Sequence, residues 1–316
     1  MEKGFVMKNQ PPKRTGFTLM ELLVVIMIIL LLAALALGGL AAVREKAKAD
    51  QTRDTIQKIH ILLMQKLEEY QTRRIKLKGT GGHSAKEINA ARAIAIHDLM
   101  RMEMPDRMND IAYGPVDVWS IVQNGPQTPS LNPFATTKTS DRYARRIASA
   151  NGVSLNQLTT IPAEKCRNTS AELLYMIIMG MPDAAEQFAS FEIGDTNDNG
   201  LKEFVDGWGH PIRFLRWAPG IDPNLSDIQK KDDTSPFDPY GYYKSVGGYT
   251  LYPLVFSGGL DEKHGVNVAG THIFNGNPYA TDAGEPFSGP DEGYGDASNY
   301  KDNITNHLLD YGKTFD

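Results

Sequence analysis

Lys13-Arg14-Thr15-Gly16-Phe17-Thr18-Leu19-Met20-Glu21, running directly into an uncharged apolar stretch from Leu22 to Val43, decides the reading of this 316-residue chain. A helix over Leu22 to Val43 would be about 33 Å long, enough to cross a hydrocarbon core of about 30 Å. Ahead of it Lys3, Lys8, Lys13 and Arg14 outweigh Glu2, so the positive-inside tendency leaves residues 1–16 in the cytoplasm and the rest outside. A secretory signal peptide has a shorter apolar core with the cleavage site behind it; here Gly16 stands in front. Glu21 is the anomaly, because a carboxylate at a membrane threshold costs several kcal/mol unless partnered. An ordinary single-pass anchor, with Glu21 snorkelling to the interface, is the plain alternative.

Beyond the span, Thr52, Ile56, Ile59, Leu63, Leu67 and Tyr70 recur at spacings of three and four among Arg44, Glu45, Lys46, Lys48, Asp50, Arg53 and Asp54. This predicts that the apolar helix continues as an amphipathic one over residues 44–79, ending at Gly79-Thr80-Gly81-Gly82. Gly38 and Gly39 lie in its first half, as a point of local melting or of close helix packing. Ser84 and Glu87 form a capping-box pattern opening a second helix to about Met104, stopped by Pro105. Residues 114–139 read as a long loop, and short helices follow at about 140–149 and 170–179. In the last third, 211–217 and 249–256 read as antiparallel strands, with Pro253 suggesting an edge position.

The basic leader, Gly16, Phe17-Thr18-Leu19-Met20-Glu21 and the apolar helix resemble the prepilin signal of type IV pilins and type II secretion pseudopilins. The resemblance implies an α+β, pilin-like fold: a long N-terminal helix packed on a small antiparallel sheet, here with a helical insertion at 80–190 and a β-rich head at 191–316. It implies cleavage between Gly16 and Phe17 by a prepilin peptidase and methylation of the new Phe17 amine. Glu21 would then neutralise the Phe17 amine of a neighbouring subunit, an ion pair made tolerable by mutual compensation in a low dielectric. It further implies partnership with other pilin subunits and with an inner-membrane platform driven by a cytoplasmic ATPase. Many type IV pilins carry a Pro near the Gly38-Gly39 depth; this chain has none there.

Three segments of the last third resemble landmarks of the type II secretion major pseudopilin: Asp206-Gly207-Trp208-Gly209-His210-Pro211, then Phe256-Ser257-Gly258-Gly259-Leu260-Asp261, then Asp302-Asn303-Ile304-Thr305-Asn306. Gly207 stands where that family usually has Pro and His210 where it has Asn, and the stretch between Asp261 and Asp302 is much longer.

The net charge is −5, and removing the leader, which holds four basic residues and one acid, leaves −8. An acidic surface disfavours nucleic acid as a partner and favours divalent cations. Cys166 is the only cysteine, so no internal disulfide holds the chain. Asp195-Thr196-Asn197-Asp198-Asn199-Gly200-Leu201-Lys202-Glu203-Phe204-Val205-Asp206 has the spacing of an EF-hand-like calcium loop. Asp195, Asn197 and Asn199 would ligate by side chain, Leu201 by its carbonyl, Glu203 through water, and Asp206 would close the site. An Asx-rich turn without an ion is the competing reading. A second calcium site, at Ser257, Asp261 and Asp302, is implied by the pseudopilin resemblance; Asp291, Glu292 and Asp296, in a stretch that does not align with that family, are only candidate further oxygen donors, and a solvated acidic loop is the competing reading.

No nucleophile elbow, His-Glu-x-x-His, phosphate loop or cysteine pair is present, and the seven histidines lack ligand spacing. The expectation is a non-enzymatic pilin-like subunit, anchored in the inner membrane with its head outside. Type II secretion is its first assignment. A type IV pilus or DNA-uptake pilin is the same-class rival, and a pilin-anchored calcium-dependent adhesive domain the rival from another class.

Overall fold

Helix α1, Leu19–Thr72, opens on Thr18 and Glu21, which reproduce the Thr-x-x-Glu capping pattern. The computed structural model describes residues 16–131, 136–221, 226–230, 233–243, 249–268, 274–280, 283–284, 300 and 303–308. The chain divides into two units, residues 1–47 and 48–316. In the first, Leu22, Ile28, Leu31, Leu35 and Val43 are all exposed around the helix. A helix apolar all round is solvated by lipid or by other apolar helices, and this one is long and apolar enough to cross a membrane once.

In the second unit all six residues of the amphipathic stripe are buried. Ile56, Ile59, Leu63 and Tyr70 share one hydrophobic core with Met100, Met104, Ile147, Leu174, Phe204, Phe214 and Val255, so the 80–190 region packs into the same core as the sheet. Helix α1 ends at Thr72, not at Gly79. Arg73 makes a bidentate ion pair with Glu103 at 2.7 and 3.0 Å, and Arg74 and Lys78, four residues apart, would repel one another along a continued helix.

Helix α2, Ala85–Glu103, carries the expected capping box and buries Ile94 and Met100. After Pro105 come α3, Met108–Ala112, and α4, Val118–Asn124. The second corrects the long-loop reading of 114–139: Asp117 Oδ1 accepts from the Trp119 and Ser120 amides, and Gly125 at φ +82° ends the helix. Arg101 pins the loop between α2 and α4, its guanidinium donating to Asp98 and to the carbonyls of Asp110 and Gly114. Helices α5, Lys138–Ala150, and α6, Thr169–Ile178, complete the helical layer.

The strands are short. β1, Ile193–Gly194, pairs antiparallel with β2, Glu203–Phe204. β3, Arg213–Leu215, β4, Leu254–Ser257, and β5, Ile304–Thr305, form an antiparallel sheet in the order β3-β4-β5. Period-two alternation sorts its side chains: Phe214 and Val255, directly paired, face the main core, whereas Leu215 and Leu254, also paired, join a smaller cluster with Phe256 and Val266. β4 is therefore central, which corrects the edge reading. Pro253 precedes its first residue and offers only a carbonyl, which Asn306 Nδ2 and His307 Nε2 approach at 2.9 and 3.1 Å.

Candidate functional site

The candidate calcium loop spans the turn between β1 and β2, flanked by strands rather than helices. Asp195 folds it: Oδ1 accepts from the Asn199 amide at 3.1 Å and Oδ2 from the Gly200 amide at 2.8 Å. Asp198 and Gly200 take left-handed φ values of +54° and +86°, and only the second is at a residue without a Cβ. Asn197 Oδ1 accepts from the Asn199 amide, and Asn199 Oδ1 from the Leu201 amide.

Two acidic residues flank this turn. Glu203 is fully buried, accepting from the Thr196 amide at 2.9 Å and from Asn168 Nδ2 at 3.0 Å. Glu172, on α6, is 1% exposed, and its Oε1 accepts from Asn199 Nδ2 at 2.6 Å and Asn197 Nδ2 at 3.4 Å. Burial pushes the Glu172 carboxyl up to about 7 against the opposing pull of the two amides, and the charges of Glu203 and Asp195 add to the rise. No cationic side chain pairs with Glu172 among the described residues.

Asp206 lies elsewhere. Its Oδ1 accepts from the Trp208 and His210 amides, both at 2.9 Å, and its Oδ2 from Ser257 Oγ at 2.6 Å. The spacing that nominated it as the closing ligand is satisfied by a different turn, and Glu172 is the carboxylate that reaches the loop instead. Among the described residues no three His, Cys, Asp or Glu side chains converge as a metal centre. A site at this turn would draw on the side-chain oxygens of Asp195, Asn197, Asn199 and Glu172 and the Leu201 carbonyl.

Of the second proposed set, Ser257 is buried and spends its hydroxyl on Asp206 and the Gly259 amide. Asp261 is exposed and accepts from the Lys263 amide. Asp302, with Asp291, Glu292 and Asp296, lies outside the described residues. The described parts of the three landmark segments do meet, on β4. The turn at 206–211 is stapled to the end of β4 by Asp206–Ser257 and by His210 Nδ1 with the Gly259 carbonyl at 2.9 Å. The terminal segment pairs with it through β5, and Asn306 Oδ1 accepts from the Val255 amide at 2.7 Å.

At the N-terminus, no described residue other than its chain neighbour lies within 4 Å of a Cβ placed on Gly16, and Phe17 is 81% exposed. Glu21 Oε2 accepts from both the amide and the hydroxyl of Thr18 at 2.9 Å. Residues 11–37 match the model of the prokaryotic N-terminal methylation motif. The N-terminus is therefore of the prepilin type, as in type IV pilin-like proteins. No curated protein and no solved structure matches it significantly.

Sequence reading of this chain missed two features. Thr18 as the cap partner of Glu21 was legible as Thr-x-x-Glu. Glu172 as the partner of Asn197 and Asn199 carried no local signal, because only the packing of α6 against β2 and β3 brings it there.

Proposed function

We propose that this pilin-like protein is a structural subunit of a type II secretion pseudopilus, cut between Gly16 and Phe17 and added to an inner-membrane-based filament by a platform with a cytoplasmic ATPase. The observation that carries this reading is the meeting on β4 of three segments that resemble the major pseudopilin's landmarks, in a chain that also bears the methylation motif. Heads presenting different surfaces to their neighbours make heterologous contacts, and such contacts propagate filaments when the rotation does not close. In this reading Glu21 exchanges its Thr18 partners for the amine of an adjacent Phe17.

Calcium belongs to the same proposal. The support is chemical: Glu172 is buried with two amide donors and, among the described residues, no cationic partner, against a turn whose Asp and Asn side chains carry oxygens of the hard type that calcium prefers. A bound calcium ion would supply the compensating positive charge and hold the β1–β2 turn against α6.

The test is the mass and N-terminal sequence of the protein from cells with and without prepilin peptidase, together with the fate of exported proteins in a deletion strain. A methylated Phe17 start and exported proteins trapped in the periplasm are expected. An intact leader in both strains would overturn the pilin assignment. Unimpaired export with loss of surface fibres or DNA uptake would replace the secretion assignment with a pilus one.

A further inference from the structure

A pocket of about 580 Å³ opens where the chain leaves α1, between the 70–76 segment, α2 and residues 236–240. That volume is typical of a ligand pocket, yet its walls are unusual for an acidic protein. Arg74, Lys76 and Arg92 line it, all three exposed, and no carboxylate is among its described lining residues. Arg73 at the rim is engaged by Glu103, but the other three cations have no ion-pair partner among the described residues. The 236–240 side of the wall carries two aromatic rings, Phe237 after Pro236 and Tyr240 after Pro239, with Tyr240 72% exposed. Holding three like charges around one concavity costs repulsion that an anionic occupant relieves, and the exposed ring of Tyr240, directly after Pro239, offers a face for an apolar or aromatic group.

We infer that this pocket receives an acidic, aromatic-bearing polypeptide segment, and that residues 285–299 of a second copy of the chain supply it. That segment, Glu285-Pro286-Phe287-Ser288-Gly289-Pro290-Asp291-Glu292-Gly293-Tyr294-Gly295-Asp296-Ala297-Ser298-Asn299, holds four acids, no lysine or arginine, and two aromatic residues. Its charge and ring content complement the pocket, and an acidic-segment-to-basic-pocket contact is heterologous, the kind that adds subunits in one direction. The choice of a second copy as donor rests on the subunit reading above; the pocket's preference for acidic peptide does not.

The test uses the full chain extracted in detergent and a fluorescent peptide of residues 285–299. Saturable binding that weakens with salt is expected. The triple substitution Arg74→Glu, Lys76→Glu, Arg92→Glu, confined to exposed side chains, should weaken binding roughly tenfold or more, a loss of about 1.4 kcal/mol. It should also gain affinity for a peptide whose four acids are replaced by lysine. Equal binding of the native peptide to both proteins, or failure of the reversed peptide to bind the reversed pocket, would overturn the inference. So would a single-stranded oligonucleotide that displaces the peptide at lower concentration, which would make the pocket a nucleic-acid site. Finally, a photo-crosslinker in place of Tyr240, in cells expressing two differently tagged copies, should join the tags through 285–299. A crosslink confined to its own chain would remove the second copy as donor. Peptide binding requires no filament, so its failure is distinguishable from failure of leader processing.

Discussion

Placing a methyl group on Gly207 should destabilise the head, and the size of the effect follows from where this turn crosses α1. A Cβ at Gly207 would lie 2.4 Å from the Lys48 carbonyl oxygen, 2.8 Å from its Cα and 2.9 Å from its carbonyl carbon. All three are helix backbone, so no rotamer change relieves the contact, and the turn must retreat by about 1 Å to reach ordinary separation. Overpacking of this kind costs about 1–3 kcal/mol. For a unit of this size that is a fall in Tm of about 2–10 °C. Gly207→Pro removes in addition the amide that donates to Thr52 Oγ1 at 3.0 Å, worth about 1 kcal/mol. The assay is thermal unfolding of the full chain in detergent, followed by near-ultraviolet circular dichroism. Thr52→Ala should lower stability in the wild-type background and do less in the Gly207→Pro background, since the hydrogen bond is then already lost. A Gly207→Ala protein melting within 1 °C of wild type would refute the argument, and with it the explanation of why glycine rather than proline stands in this turn.

Four further outcomes are expected. Gly16→Val should accumulate as uncleaved precursor on a gel, and normal processing would remove the prepilin assignment. Glu21→Ala should be processed normally but enter filaments poorly, read as the membrane-to-filament ratio after shearing. Calcium at 100 times its dissociation constant should raise unfolding stability by about 2.7 kcal/mol, and Glu172→Gln should abolish most of that gain; no thermal shift after chelation and re-addition would sink the site. His97 is buried against Trp217, Phe237 and Tyr243, and desolvation lowers it from 6.5 to about 4, with Arg216 adding to the fall. The unfolded chain therefore binds this proton more tightly, so the contribution is complete above pH 6.5 and is lost as pH falls towards 4, amounting to about 3 kcal/mol; His97→Phe should flatten the stability profile across that window.

What was legible in the sequence is what local periodicity and caps encode. The stripe from Thr52 to Tyr70 is buried throughout because a period near 3.6 allows only one face to point inward. Ser84 and Glu87 start α2 where the capping box places it. The misses have long-range causes. Helix α1 stops short of the glycines because Glu103, on the next helix, takes Arg73. Asp206 has the spacing of a loop ligand, yet it is captured by the 208–210 amides and Ser257, and Glu172 from α6 meets the loop. Spacing along the chain specifies which oxygens a turn can offer, whereas the carboxylate that packs against the turn is chosen by tertiary packing.

The head half of α1 is fastened at four successive levels by segments distant in sequence. Thr52 holds Gly207, Thr55 and Lys58 hold Glu192 at 2.6 and 2.9 Å, and His60 meets Asn306 at 3.1 Å. Between them Ile56, Ile59 and Leu63 are buried in the main core. A force drawn along α1 therefore loads these bonds in shear and together, so no single one must carry it before the next engages. Glu192 is itself held by the Ala189 amide at 2.7 Å and leads into β1, and Asn306 is locked to β4. The load thus passes directly into both sheets. This arrangement supplies mechanical coupling between helix and head in a chain whose single cysteine, Cys166, excludes an internal disulfide. It also predicts an asymmetry: Glu192→Ala, which removes two of the four levels and leaves Lys58 without its partner, should release the head from α1 under proteolysis more readily than Asn306→Ala. Equal protection of the two variants would show that the apolar stripe alone carries the coupling.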